Sequence, residues 1–389
     1  AVGHAPVVDL ARLTADIDGR ILAKLEYLNP GGSKKDLIAR AIIQSAEDNG
    51  LLQPGQTVLE VTSGNTGNGL AMICAVKNYP FIAVMSRGNT PERAAMMRAM
   101  GATVVLVEQS DPMEGVTGDD MKRVEDIADE LATRHNAFRA DQFKREENSQ
   151  AHYEHTGPEW LRQTDGNIDA FCDFVSTGGG FAGVARAFKE HNPAIGCYIV
   201  EPHGAAKLAG QCISCCAHVI QGGGYAKELP LLNRDHVDGH LAVKDEDVAV
   251  VTRRLASEEG IFAGYSSGAN ASAARQLLQG DFQGKTIAIT IIIAKIAKAI
   301  SIRIHLICIC LFCAVITNIA DHIFIAVRLI CIGNFGTVVT NVPKTILIFI
   351  FFLLVLIFIL VFIAIKEARC LVAPCRSFSC TVVCVAAVE

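Results

Sequence analysis

Thr57-Val-Leu-Glu-Val-Thr-Ser-Gly-Asn-Thr-Gly67 starts as a β-branched run, breaks at a glycine-bearing turn and passes into a helical pattern. Thr57–Val61 reads as a strand, Thr62–Gly67 as the turn, and Gly67–Lys77 as a helix with apolar Leu70, Met72, Ile73, Ala75 and Val76. Phe81–Met85 is the next strand, Pro91–Met100 the next helix, and Thr103–Val107 a further strand. This βαβαβ rhythm predicts parallel strands joined by right-handed helical crossovers. A second alternation starts near residue 168, with strands Ala170–Val175, Cys197–Val200 and Thr286–Thr290. Its helices are Phe181–Glu190, Asp245–Glu259 and Ala269–Leu278. The expected architecture is α/β: two three-layer domains with mostly parallel sheets, residues 1–140 and 141–290, and a cleft between them. No short-period repeat is visible.

Three glycine-rich turns, each read as following a strand, carry the chemistry. They are Thr62-Ser-Gly-Asn-Thr-Gly67, Ser176-Thr-Gly-Gly-Gly180 and Gly264-Tyr-Ser-Ser-Gly268. Backbone N–H groups at a helix N-terminus form an anion site, and glycine lets the backbone close on a phosphate. One such turn is commonly just a capped loop. Three of them, at the strand ends where open α/β sheets bind ligands, point to a site. Upstream stands Asn29-Pro-Gly-Gly-Ser-Lys-Lys-Asp36, whose lysines alone would read as solvated surface.

Asn29–Asp36 resembles the cofactor-lysine motif N-P-x-G-S-V-K-D-R of cysteine synthases and cystathionine β-synthases, fold-type II pyridoxal-phosphate (PLP) enzymes. The motif puts Lys35 at the Schiff-base lysine, with Lys34 at the usual valine and Leu37 at the usual arginine. Thr62–Gly67 is similar to the family's substrate loop letter for letter. Ser176–Gly180 resembles its G-T-G-G-T phosphate loop, with Ser for the first Gly and Gly for the last Thr. Tyr265-Ser-Ser-Gly-Ala269 resembles its I-S-S-G-A segment, and Asp141-Gln-Phe143 its Q-F segment. The order of the motifs agrees, as do the flanks Lys24–Leu28, Thr156–Glu159 and Glu258–Phe262. The resemblance covers about residues 5–290.

The resemblance implies PLP in the interdomain cleft, with residues of about 7–28 packing on the second domain. Lys35 would hold the cofactor and move the Cα proton. Ser176, Thr177, Gly178, Gly179 and Gly180 would bind the phosphate, one hydroxyl short of the family's loop. Asn65 would meet the ring 3′-oxygen and Ser266 the pyridine nitrogen. Thr62, Ser63, Gly64, Thr66 and Gln142 would bind the substrate carboxylate. A hydroxyl at the pyridine nitrogen leaves a moderate electron sink, which suits β-elimination through an aminoacrylate. Dehydratases of the same fold carry S-F-K and S-G-N-H, so S-K-K-D and S-G-N-T-G favour β-replacement. O-acetylserine plus sulfide giving cysteine is the first expectation. Serine plus homocysteine, or a catalytically impaired PLP-fold protein, are the alternatives.

The chain has 389 residues, a net charge of −5 and 51% hydrophobic composition. That length suits two domains, and the charge suggests no nucleic-acid partner. The expected partners are an amino-acid substrate and a sulfur nucleophile, with a homodimer plausible. Cys74, Cys172, Cys197, Cys212, Cys215 and Cys216 form no secreted-type framework, so a reducing, cytoplasmic setting is expected for the enzyme portion. Cys212 and Cys215 have CxxC spacing without a second pair, and His152 and His155 read as surface or capping histidines, so no metal site is expected. The chain begins at Ala1, which reads as processed or a fragment.

Residues 291–389 depart from all this. Ile291-Ile-Ile-Ala294 begins text unlike the family's closing P-D-S-G-E-R-Y-type segment, and charges become sparse. Thr345–Ile365 is uncharged between Lys344 and Lys366, long enough to span a bilayer and associate the chain with a membrane. A membrane anchor and a frameshift or translated intron both account for it. The abrupt break, the scattered cysteines and the low charge favour the second.

Overall fold

The computed structural model describes residues 1–292 except 63, 90, 111–117, 212–217, 221 and 225, and beyond them the backbone of 301–306, 315–316, 324–329 and 338–339. Residues 1–295 form one compact unit and 296–389 a second. In chain order the first unit opens with β1 Val7–Asp9, β2 Arg20–Leu25, α1 Lys35–Asp48, β3 Val58–Val61 and α2 Asn65–Lys77. Then come β4 Phe81–Ser86, α3 Pro91–Ala99, β5 Thr103–Val107, α4 Gly118–Arg134 and β6 Phe138–Arg139. There follow α5 Glu147–Ala151, a π-helical turn His152–Thr156, α6 Gly157–Gln163, β7 Ala170–Phe174 and α7 Gly179–His191. The unit closes with β8 Gly196–Pro202, β9 Gly239–Val243, α8 Asp245–Glu259, α9 Tyr265–Leu278 and β10 Thr286–Ile291.

Two sheets result. One has the order β5-β4-β3-β6 and is parallel throughout. The other has the order β1-β2-β10-β7-β8-β9 and is parallel except for the β1–β2 pair. The two-residue period of a strand sends alternate side chains to opposite faces. Ala170, Cys172, Phe174, Ile287 and Ile289 join a core beneath α8 and α9, whereas Phe171 and Ala288 join one beneath α7. In the smaller sheet Val58, Phe81, Ala83 and Met85 pack with α1 and α2, and Leu59, Ile82 and Val84 with α4. Both sheets are therefore the middle layer of three, an α/β fold.

Helix ends follow local chemistry. Asp245, Glu246 and Asp247 fill the first turn of α8, and Gly260 closes it in the left-handed region at φ 69°. Asn78 closes α2 the same way at φ 61°. The turn before α1 wraps a side chain: a β-carbon on Gly31 would stand 2.3 Å from Asp36 Oδ1, and the Gly31 N–H donates to Asp36 Oδ2. Glycine at 31 is thus required for this approach.

In the second unit the described backbone forms two short parallel pairs, Ser301–Leu306 with Phe324–Leu329 and Val315–Ile316 with Val338–Val339. No helix of the described residues is long and apolar enough to cross a membrane. Thr345–Ile365, Cys212 and Cys215 lie outside the described residues.

The N-terminal segment is fastened by a buried cation. Lys24 on β2 is fully buried, and its ammonium donates to Ala5 O at 2.7 Å and Gln163 Oε1 at 2.9 Å and pairs with Glu159 Oε2 at 2.9 Å. Glu159 Oε1 accepts from His4 N at 2.9 Å. Removing one partner of such a pair strands the other charge. Glu159→Gln should therefore cost roughly 3–5 kcal/mol of stability. The urea midpoint, followed by fluorescence of Trp160, the sole tryptophan, measures it. A loss below about 1 kcal/mol, the range of a surface pair, would show that the contact does not fasten the segment.

Candidate active site

Lys35 is the first residue of α1, and its backbone N–H meets Ser33 Oγ at 3.3 Å. Its side chain enters a cavity lined also by Ser33, Lys34, Asn65, Asp173, Ser176 and Ser266. Lys35 Nζ stands 3.5 Å from Thr177 Oγ1. Burial pushes the Lys35 amine down to about 7, and the Lys34 charge acts the same way, outweighing the pull of Asp173 and Glu60. Near neutral pH a large fraction of this amine is unprotonated, the form that attacks a carbonyl or accepts a proton.

The Thr62–Gly67 loop is held from inside. Thr62 Oγ1 accepts from Gly64 N at 3.1 Å and from Gly67 N at 3.0 Å. Gly64 adopts φ 152°, and a β-carbon there would come within 2.6 Å of the Arg93 side chain, so the position calls for glycine. Asn65 begins α2 and faces the cavity, whereas buried Thr66 donates its hydroxyl to Gln142 Oε1. Ser63 lies outside the described residues.

Ser176–Gly180 leads from β7 into α7, with Gly178 left-handed at φ 84°. Asn148, fully buried, ties this loop to the segment after β6: its Nδ2 donates to Gln142 O at 2.7 Å and to Thr177 Oγ1 at 2.9 Å. A β-carbon on Gly179 would stand 2.3 Å from Asn148 Oδ1. The sequence reading missed Asn148, whose role depends on contacts between distant segments. His152 corrects that reading. It closes α5 as its C-cap but is no surface residue: it is fully buried beside this loop, with Nδ1 2.9 Å from Thr156 Oγ1 and no partner at Nε2. Burial, together with Lys34 and Lys35, holds it well below its ordinary pKa, so the ring is neutral.

The Gly264–Gly268 turn also differs from expectation. It follows α8 through residues 260–264 rather than a strand. It reaches the strand end by pairing with the chain beyond β10: Gly264 N donates to Ile292 O at 3.1 Å, Ser267 Oγ donates to Ile292 O at 2.9 Å and Ile292 N donates to Ser267 Oγ at 2.9 Å. Ser266 then faces the cavity with Lys35, Asn65 and Ser176.

The sequence model of the pyridoxal-phosphate dependent enzymes matches residues 1–292. The chain belongs to this family. It is 42% identical to Cysteine synthase 3 of Caenorhabditis elegans over 292 residues, covering 75% of this chain and 84% of that protein. It is 39% identical to a cysteine synthase of Staphylococcus aureus over 287 residues, 74% of this chain and 89% of the other. Among solved structures it resembles an O-ureido-L-serine synthase, with a TM-score of 0.69 at 34% identity over 75% of this chain and 89% of that one. It also resembles O-acetyl serine sulfhydrylase isoform 3 of Entamoeba histolytica, with a TM-score of 0.66 at 33% identity over 75% and 86%.

The chain is thus a PLP-dependent enzyme, and the residues of its cleft fit the cofactor. An amine of depressed pKa suits its carbonyl. Consecutive glycines at the N-terminus of α7 suit its phosphate, as does a buried imidazole nitrogen without a partner. Among the described residues no group of three His, Cys, Asp or Glu side chains could hold a metal ion. The depressed lysine sets a pH dependence for the PLP enzyme. Cofactor uptake by apoenzyme should rise as pH passes about 7 and level above it, followed by the visible absorbance of the bound cofactor. A rise that begins only near the ordinary lysine value of 10.5 contradicts the assignment.

Proposed function

We propose that this PLP enzyme catalyses β-replacement on an activated serine, joining O-acetylserine and sulfide to give cysteine and acetate. The reading rests chiefly on one observation: Lys35, Asn65, Ser176 and Ser266 line one cavity, and the Thr62–Gly67 and Ser176–Gly180 loops adjoin it. Relatives named cysteine synthase support the substrate class. The two sheets would act as two domains, 1–140 and 141–290, with β1 and β2 lent to the second.

Each residue has a task in this scheme. When bound, PLP supplies an electron sink for bond breaking next to an amino acid's Cα. Lys35 would hold the cofactor and then, as free amine, take the proton from Cα. Thr62, Ser63, Gly64 and Thr66 would receive the substrate carboxylate with N–H and hydroxyl donors, and Gln142, bound to Thr66, would fix the loop. Asn65 would meet the ring 3′-oxygen and Ser266 the pyridine nitrogen. Ser176, Thr177, Gly178, Gly179 and Gly180 would seat the phosphate. Acetate leaves as the C–O bond breaks, and the sulfur forms the new C–S bond at the same carbon.

Borohydride reduction of the loaded protein, followed by peptide mapping, should place the pyridoxyl group on Lys35. Lys35→Ala should lose both that label and the visible band. Cysteine formed from O-acetylserine and sulfide should exceed cystathionine formed from serine and homocysteine. A reversed preference moves the enzyme to the second reaction, and label on Lys34 in the wild type removes Lys35 from its role.

A further inference from the structure

Lys34 has no task in this scheme, yet its side chain lines the cleft. Its ammonium pairs with Asp173 Oδ2 and donates to Thr290 Oγ1 at 3.3 Å. Asp173 is shared: its Oδ1 accepts from Asn270 Nδ2 at 2.9 Å and from the Thr290 hydroxyl. An ammonium carries three N–H donors, and these contacts use two.

One donor remains, and the start of α7 lies close to it. The point where a β-carbon would stand on Gly180 lies 3.4 Å from Lys34 Nζ and 3.6 Å from His152 Nε2. His152 is fully buried and its Nε2 has no partner. The contact between His152 Nδ1 and the Thr156 hydroxyl admits either tautomer, and the one with its proton on Nε2 makes that nitrogen a donor. A buried donor without an acceptor is costly. Two nitrogens therefore converge on one point at the first turn of α7, where helix N–H groups also favour an anion.

We propose that Lys34 is a phosphate-binding residue: its ammonium, with His152 Nε2–H, receives a phosphate oxygen over Gly180. Asp173 and Thr290 anchor the ammonium at this end of the cleft, short of the Lys35 amine's role. The proposal rests on the reading that the cofactor phosphate seats on residues 176–180.

The test compares PLP with pyridoxal, which lacks the phosphate, on the full chain freed of cofactor. Lys34→Met should weaken PLP binding roughly ten- to a hundredfold, the range of a charge-assisted hydrogen bond, and weaken pyridoxal binding far less, through the Lys35 amine alone. Asp173→Asn keeps the cation but loosens its anchor, and should weaken PLP binding less than Lys34→Met does. Equal losses for PLP and pyridoxal in Lys34→Met, or no loss for either, overturn the proposal. So does an Asp173→Asn variant as weak for PLP as Lys34→Met, since the pair then only shapes the cleft. If Lys34→Met does not fold, Lys34→Met/Asp173→Asn, which restores charge balance, carries the same comparison. Peptide mapping of the reduced wild type separates the two readings. Absence of label on Lys35 removes the parent reading and this one with it. Label on Lys35 without discrimination in the variants removes this one alone.

Discussion

Parallel strands with helical crossovers deliver every strand's C-terminal end, and the N-terminus of the helix that follows, to one edge of the sheet. The rest of the structure depends on this constraint. β3 passes into α2 and β7 into α7 at such edges, so the turns that open both helices meet at a common cleft, through Asn65 and Ser176. Glycine at 64 and 178–180 lets those turns close, and Asn148 ties the strand-end segment after β6 to the turn after β7. A lysine between two such loops meets hydrogen-bond acceptors and positive helix ends together. Its environment is set before any substrate arrives.

Much of this was legible because local rules and tertiary structure agree. Asp245–Glu259 has acidic residues at one end and a glycine at the other, and both ends of α8 fall where these signals place them. Val58–Val61 and Phe81–Ser86 are fully buried runs, so apolar continuity marks them as inner parallel strands. The loops were legible because glycine has few other reasons to cluster between a strand and a helix.

What was not legible depends on partners far away in the chain. β2 is a strand because it pairs with β10, more than 250 residues later, and the charge of Lys24 within it is accommodated only by Glu159, far along the chain. The Tyr265 turn follows a helix, and only its hydrogen bonds to Ile292 bring it to a strand end. His152 looks exposed by spacing because a π-helical turn rotates the register that an α-helix would keep. Asn148 carries no signal of its own. A buried amide becomes informative only when the two segments it joins are both in place.

Lys34 and Lys35 show how little residue type decides inside such a cleft. They are adjacent, with the same side-chain chemistry, and one step in an α-helical turn rotates a side chain by about a quarter turn or more. Lys34 thereby reaches Asp173 on the larger sheet, while Lys35 reaches Thr177 at 3.5 Å without a carboxylate partner. Desolvation falls mainly on the amine lacking the partner, and the neighbouring ammonium adds to it. The buried carboxyl of Glu60, pushed up to about 8 by burial, is largely protonated near neutral pH and offers Lys35 little compensating charge. A reactive neutral amine therefore follows from geometry: Asp173, the acidic side chain lining the cavity, is already committed to Lys34, and Glu60 is mostly neutral.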